Sequence, residues 1–272
     1  VSSPTFSIVY PIKNRAALFS HTLASLSCSI VDNENIELIV VDQSSDDNLR
    51  DLLSEYGHRF KILYLNVDIS KYTAYPLPSR PYVDPAYFIN VGIKKSAGKY
   101  VILSSPEVCP QYDILGEISG LMDNETSFLA ATYNAYLDDN GKQVRDSYLF
   151  GDGAALLPLP GYYFFGAYPR KHMMKIGGIE EAYMSGLAVE DDDFGDSFLS
   201  FGYQFIVLPG GVCHHLIHPV NEWHFTEEHK KNMELLAQRR AMPFSHPRPN
   251  NVHVNWGSDE CIVQCERLDI SR

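Results

Sequence analysis

Phe6-Ser7-Ile8-Val9-Tyr10-Pro11-Ile12-Lys13-Asn14-Arg15 begins as an apolar run and turns polar after a proline. Residues 6–10 read as a buried strand that Pro11 ends, since proline has no N–H to give to a sheet. Residues 15–28 then repeat Leu18, Leu23 and Leu26 at helical spacing. Ile36-Glu37-Leu38-Ile39-Val40-Val41 is a second apolar strand, closed by Asp42. Residues 47–56 carry Leu49, Leu52 and Leu53 on one helical face, and 61–65 form a third strand. Strands alternating with helices predict βαβ units, an α/β fold and a mostly parallel sheet.

Further along the pattern loosens. Residues 70–85 are rich in proline and tyrosine and read as an irregular loop. Residues 86–97 read as a helix and 99–103 as a strand, so 104–110 becomes a loop at that strand's carboxyl end, where open α/β sheets bind ligands. A strand over 128–137, a turn at 138–141, a helix over 190–201 and a strand over 203–208 follow. The amphipathic stretch 225–240 completes the helices. Residues 151–168 combine Gly, Pro, Tyr and Phe; a loop covering a substrate and a packed connection both fit them.

The bulk numbers exclude several classes. The chain has 272 residues and a formal net charge of −12. It has no long basic run, which argues against nucleic acid as a partner. No stretch reaches the roughly 20 apolar residues that span a bilayer. A cytoplasmic location is expected, with peripheral membrane attachment left open. Five cysteines at mostly long spacings suggest reduced thiols rather than a disulfide framework. Residues 1–250 read as one domain and 251–272 as an extension without an assigned role.

Two strand ends carry polar residues suited to a ligand. Arg15 and the backbone N–H groups after Pro11 could hold an anion. Asp42 at the tip of a parallel strand could accept from a ribose or a base, although it or Ser44 could equally cap the next helix. Together, Pro-x-x-Asn-Arg and Val-Val-Asp-x-Ser-x-Asp resemble the opening of family 2 glycosyltransferases. Phe88-Ile89-Asn90-Val91-Gly92-Ile93 with Ser96-Ala97-Gly98-Lys99-Tyr100 is similar to that family's Arg-Asn-x-Gly-x-x-x-Ala-x-Gly-x-Tyr segment. The resemblance covers about residues 6–110 and returns at 176–220. It implies a GT-A fold, with a central sheet flanked by helices and a nucleotide-sugar donor, UDP-linked by default. Pro11, Asn14, Arg15, Asp42, Ser44, Asn90 and Glu107 would then line the donor site.

Two departures stand out. Ile89 occupies the family's arginine position, with Arg80, Lys94 or Lys95 as alternatives for the lost charge. The Asp-x-Asp motif is replaced by Ser104-Ser105-Pro106-Glu107, which leaves Glu107 as the available carboxylate for Mn²⁺ or Mg²⁺. His215 and His218, three apart, could converge on the same ion, as the resemblance to galactosyltransferases implies. A solvated Glu107, or histidines that hold phosphate directly, are the alternatives.

Glu190-Asp191-Asp192-Asp193 opens a predicted helix, after Gly177-Gly178-Ile179-Glu180-Glu181. A helix N-terminus favours one or two acids, but four adjacent ones repel. The pattern resembles the acceptor motif of family 2 enzymes and galactosyltransferases. That resemblance makes Asp191 the general base of an inverting transfer, Glu190 the acceptor-binding acid and Asp193 an acceptor-side residue that supports the loop. Trp223, Tyr162, Tyr163 and Phe164 are candidates for stacking on sugar faces, and core packing fits these rings at least as well. The acceptor would be a hydroxyl of a glycan, lipid-linked or other glycoconjugate. A nucleotide-sugar or glycan-binding module on a decayed transferase fold is the alternative. A nucleotidyltransferase would need a Gly-rich, Lys-containing loop after the first strand, which residues 11–15 lack.

Overall fold

The computed structural model describes residues 4–29, 35–78, 83–150, 164–218, 226–241 and 247–268. Its first half is the expected alternation: β1 (Phe6–Ile12), α1 (Ala16–Ser29), β2 (Ile36–Asp42), α2 (Leu49–Tyr56), β3 (Lys61–Val67), α3 (Ala86–Lys95) and β4 (Tyr100–Ser104). Then come β5 (Val108–Pro110), α4 (Ile114–Leu121), β6 (Ser127–Leu137), β7 (Gln143–Phe150), β8 (Phe165–Pro169) and α5 (Arg170–Ile176). The chain closes with α6 (Glu190–Ser200), β9 (Phe205–Leu216), α7 (Glu227–Arg240) and β10 (Ile262–Arg267).

The ten strands of the described residues form one sheet in the order β10-β3-β2-β1-β4-β8-β6-β9-β5, with β7 paired to β6. The run β3-β2-β1-β4 is parallel. Beyond it the expected parallel pairing gives way: β4–β8, β6–β8, β6–β7 and β5–β9 are antiparallel, and β6–β9 is parallel again. The sheet is therefore mixed. In its second half the β6–β7 hairpin and the antiparallel placement of β8 between β4 and β6 replace the simple βαβ succession.

Apolar side chains of the central strands are buried on both faces, as a sheet covered by helices on two sides requires. Ile8, Tyr10, Leu38 and Val40 join Phe19 and Leu23 of α1 on one face. Val9, Ile39 and Val41 join Phe88, Val91, Phe194 and Phe198 of α3 and α6 on the other.

Four local expectations are revised. Pro11 lies inside β1, opposite Val41 of β2. The β4 partner stops at Val9, so the missing N–H falls where that side of β1 is already unpaired. Second, 104–110 is not all loop, because Val108-Cys109-Pro110 makes an edge strand too short for a periodic signal. Third, Pro209-Gly210-Gly211 does not end a strand. It forms an irregularity within β9, where Leu129 faces Val207 and Ala131 faces Val212. Fourth, residues 165–168, within the predicted aromatic loop, belong to β8, while 151–163 lie outside the described residues. The final strand β10 pairs antiparallel with β3 and covers that edge of the sheet.

Candidate functional site

The carboxyl ends of β1, β2 and β4 surround a cleft. Pro11, Lys13, Arg15 and Gln43 line it from two loops, Pro85 and Ile89 from the start of α3, and Ser104 to Glu107 from the turn after β4. Its two loops are clamped to each other. Lys13 Nζ donates to the carbonyls of Gln43 and Ser44 at 2.9 and 2.6 Å. Asn14 N–H donates to Ser45 Oγ at 2.8 Å, and Asn14 Oδ1 accepts Asp46 N–H at 2.7 Å. Ala16 N–H at the start of α1 is capped by Asp47 from the other loop. Asn14 and Ser44 both hold left-handed backbone, at φ 51° and 52°, which asparagine tolerates better than most residues.

Pro11, Arg15 and Glu107 thus face the cleft as expected. Asp42 is buried instead: its Oδ1 accepts Ser45 N–H at 2.9 Å and its Oδ2 accepts the Tyr64 hydroxyl at 2.7 Å. Burial, then the Asp42 contact, raises the Tyr64 phenol, which keeps it a proton donor in this bond. Ser44 Oγ donates to Asn66 Oδ1 and to the Val67 carbonyl. These side chains shape the loop rather than point into the cleft.

Asn90 is a correction to the expected donor contact. It is 0% exposed. Its Nδ2 donates to the Ile179 carbonyl and to Glu181 Oε1, at 2.8 and 2.9 Å, and its Oδ1 accepts Ile179 N–H at 2.7 Å. It latches α3 to the Gly177–Glu181 segment. Gly178 sits against this latch at φ 71°, where a side chain would overlap Asn90 and Trp256.

Glu107, His215 and His218 do come together. The β5–β9 pairing sets His215 opposite Val108, and the Leu216 N–H donates to the Glu107 carbonyl at 3.0 Å. Glu107 Oε1 lies 3.7 Å from His215 Nε2 and 3.4 Å from His218 Nε2. One ligand atom from each of the three residues falls within 4.8 Å of the others. Burial would raise the Glu107 carboxyl, but hydrogen bonds and charge from the two histidines outweigh it and hold it at about 2. Two atoms each about 2.1 Å from one ion lie at most about 4.2 Å apart, so both glutamate–histidine separations suit a shared divalent cation. The carboxylate suits Mn²⁺, and the two imidazoles widen the set to other first-row divalent ions. The Phe164 ring lies 5.3 Å from that of His215.

The four acids at the start of α6 separate into different environments. Asp193 is 0% exposed and ion-paired to Arg239 at 2.7 Å, so it braces the turn. Glu190 is 7% exposed. Burial, then the charges of Asp84 and Asp191, push its carboxyl well above the usual range. Asp84 itself is buried, accepts Ala86 N–H at 3.0 Å and precedes the cleft residue Pro85. Asp191 is half-buried, and its Oδ1 accepts Asp192 N–H at 2.9 Å. Trp223 lies outside the described residues.

Sequence reasoning missed Asp84, Lys13 and Arg239. Lys13 stood within the quoted loop, and only its two carbonyl partners reveal its role. Arg239 also bonds Glu180 at 3.2 Å and Asn250 at 2.5 Å. Burial would lower its guanidinium, but Asp193 and Glu180 outweigh that and keep it charged. Arg239→Met is expected to lower unfolding free energy by about 3 kcal/mol, because it leaves two buried carboxylates without their cation. Urea melts of the two proteins check this.

The model of the family described as glycosyl transferase family 2 matches residues 7–74. Validoxylamine A glucosyltransferase from Streptomyces hygroscopicus subsp. jinggangensis (strain 5008) is 39% identical over 62 residues, 23% of this chain and 15% of that protein. Its counterpart from subsp. limoneus is 37% identical over the same length, 14% of that protein. The matched stretch is thus a small part of either relative. Among solved structures, S. aureus TarS 1–349 in complex with UDP-GlcNAc superposes at TM-score 0.61 and 16% identity, over 86% of this chain and 66% of that one. Mannosyltransferase PcManGT from Pyrobaculum calidifontis, with GDP-Man and Mn²⁺, gives 0.55 at 13% identity, over 82% and 60%. GalNAc-T7 with UDP, GalNAc and Mn²⁺ gives 0.59 at 11% identity, over 87% and 49%. The fold is the GT-A fold. No described helix is long and apolar enough to cross a membrane.

Proposed function

We propose that this chain is an inverting glycosyltransferase that takes a sugar from a nucleotide-sugar donor, most simply a UDP-sugar, to a hydroxyl of a glycan or other glycoconjugate. The observation that carries the reading is the convergence of Glu107, His215 and His218 beside a cleft lined by Lys13 and Arg15. Cationic side chains and loop N–H groups at strand ends suit a diphosphate. Lys13 and Arg15 stand in for the arginine that Ile89 replaces. Glu107, His215 and His218 would hold Mn²⁺ or Mg²⁺, and a cation bound there would offset charge on the departing nucleoside diphosphate. Two structural neighbours, PcManGT and GalNAc-T7, are seen with Mn²⁺, which supports the same choice.

On the acceptor side the Asp191 carboxylate accepts the proton of the attacking hydroxyl. Glu190, buried against Asp84, holds its proton more readily than an ordinary carboxyl, because burial and the charges of Asp84 and Asp191 disfavour its ionised form. Attack opposite the leaving group in a single displacement inverts the anomeric carbon. Calorimetry with UDP is expected to show binding that Mn²⁺ tightens at least tenfold. A UDP-sugar panel is expected to release UDP slowly in water and faster with a glycan acceptor. Binding without turnover across donors and acceptors would instead identify a sugar-nucleotide-binding module, a reading that the missing Asp-x-Asp motif keeps in play.

A further inference from the structure

The turn that delivers Asp191 is strained, and the strain is held from a distance. Ala188 and Val189 both sit at φ 63°, in the left-handed region that non-glycine residues rarely adopt and β-branched ones least of all. Val189 is the N-cap of α6 and makes no side-chain capping bond. Local sequence therefore does not favour this helix start.

Helix α7 holds it. Asn232, 1% exposed, donates from Nδ2 to the carbonyl of Ala188 at 3.0 Å and to that of Tyr183 at 3.1 Å. One amide thus bridges the two ends of the segment that leads into the acids. The Leu187 N–H donates to the Glu228 carbonyl at 3.2 Å. Gly186 packs so closely on Asn232 that any side chain there would overlap it. Inside α6, Asp193 N–H donates to the Val189 carbonyl at 3.2 Å, so the conformation of Val189 fixes the first turn of the helix.

We infer that Asn232 is the positioning residue of the acceptor side: its amide locks the left-handed Ala188–Val189 turn and so sets where Asp191 stands. The inference rests on the reading of Asp191 as general base. A side chain more than 40 residues downstream acts here through the backbone and touches no substrate. The strain at Val189 is what makes the lock necessary. Glycine adopts φ 63° without that penalty, so a glycine at 189 removes much of the need for Asn232.

The test is a pair of substitutions read in kinetics. Asn232→Ala is expected to lower kcat for transfer ten- to a hundredfold with UDP affinity unchanged. Val189→Gly in that background is expected to recover kcat to within about threefold of the parent protein. Should Asn232→Ala not fold, Asn232→Asp, isosteric but without N–H donors, is read in its place with the same expectations. A variant that loses thermal stability while kcat per folded molecule stays at the parent value overturns the inference. So does a loss of kcat that Val189→Gly leaves unrelieved. Asp191→Asn, assayed alongside, separates the two levels: if it retains transfer, the base assignment fails whatever Asn232 does. If it is inactive while Asn232→Ala is unaffected, only the positioning role fails.

Discussion

Asp191→Asn is expected to lower transfer about 10³-fold while leaving UDP affinity at its original value. The figure lies within what a positioned general base contributes, about 10²- to 10⁴-fold, and corresponds to about 4 kcal/mol of transition-state stabilisation. Asparagine keeps the shape of the side chain and an oxygen for the Asp192 N–H, so the turn survives and the loss is chemical. The three adjacent acids are engaged differently from Asp191. Asp193 is fixed on Arg239 with no exposed surface. Glu190 is buried and protonated more readily than an ordinary carboxyl. Burial also raises the Asp192 carboxyl, and Arg240 only partly offsets it. Steady-state transfer with a fixed UDP-sugar, alongside calorimetry with UDP, checks both halves. Unimpaired transfer would place the base elsewhere.

That prediction depends on distinctions the sequence alone could not draw. As letters, Glu190 to Asp193 are four equivalent acids at a helix start. Folding makes them different through partners far away in the chain: Asp84 from the α3 entry and Arg239 from α7. Periodicity carries no information about such long-range pairs. The central strands were legible for the opposite reason. Ile8 to Tyr10 and Leu38 to Val41 are buried on both faces, so their apolar runs are continuous and local. Asn90 shows how a motif can be seen and its contact misplaced. Its side chain is spent on Ile179 and Glu181, a use visible only once the Gly177–Glu181 segment folds against α3. The histidine pair was legible because its three-residue spacing is local. Its alignment with Glu107 depended on β5, a strand too short to leave a pattern.

Glu107→Gln is expected to abolish the tightening of UDP binding by Mn²⁺ and to reduce Mn²⁺-supported transfer about 10³-fold, comparable to losing a principal electrostatic stabiliser. The substitution changes one atom's chemistry and little else. Glu107 is largely buried, and its Oε1 faces both imidazole nitrogens within 3.7 Å. It is the one anionic ligand in the set, since neutral histidines bring no charge to a divalent ion. A glutamine retains an oxygen but loses that charge, and its NH₂ can face a histidine nitrogen as a donor. Glu107→Asp keeps the charge but shortens the reach, so a larger recovery in Asp than in Gln would identify charge as the deciding property. Calorimetry with UDP, with Mn²⁺ present or chelated, gives the readout directly. Undiminished Mn²⁺ tightening in Glu107→Gln would move the metal elsewhere. If the parent protein binds UDP equally well in chelator, the imidazoles meet the diphosphate themselves.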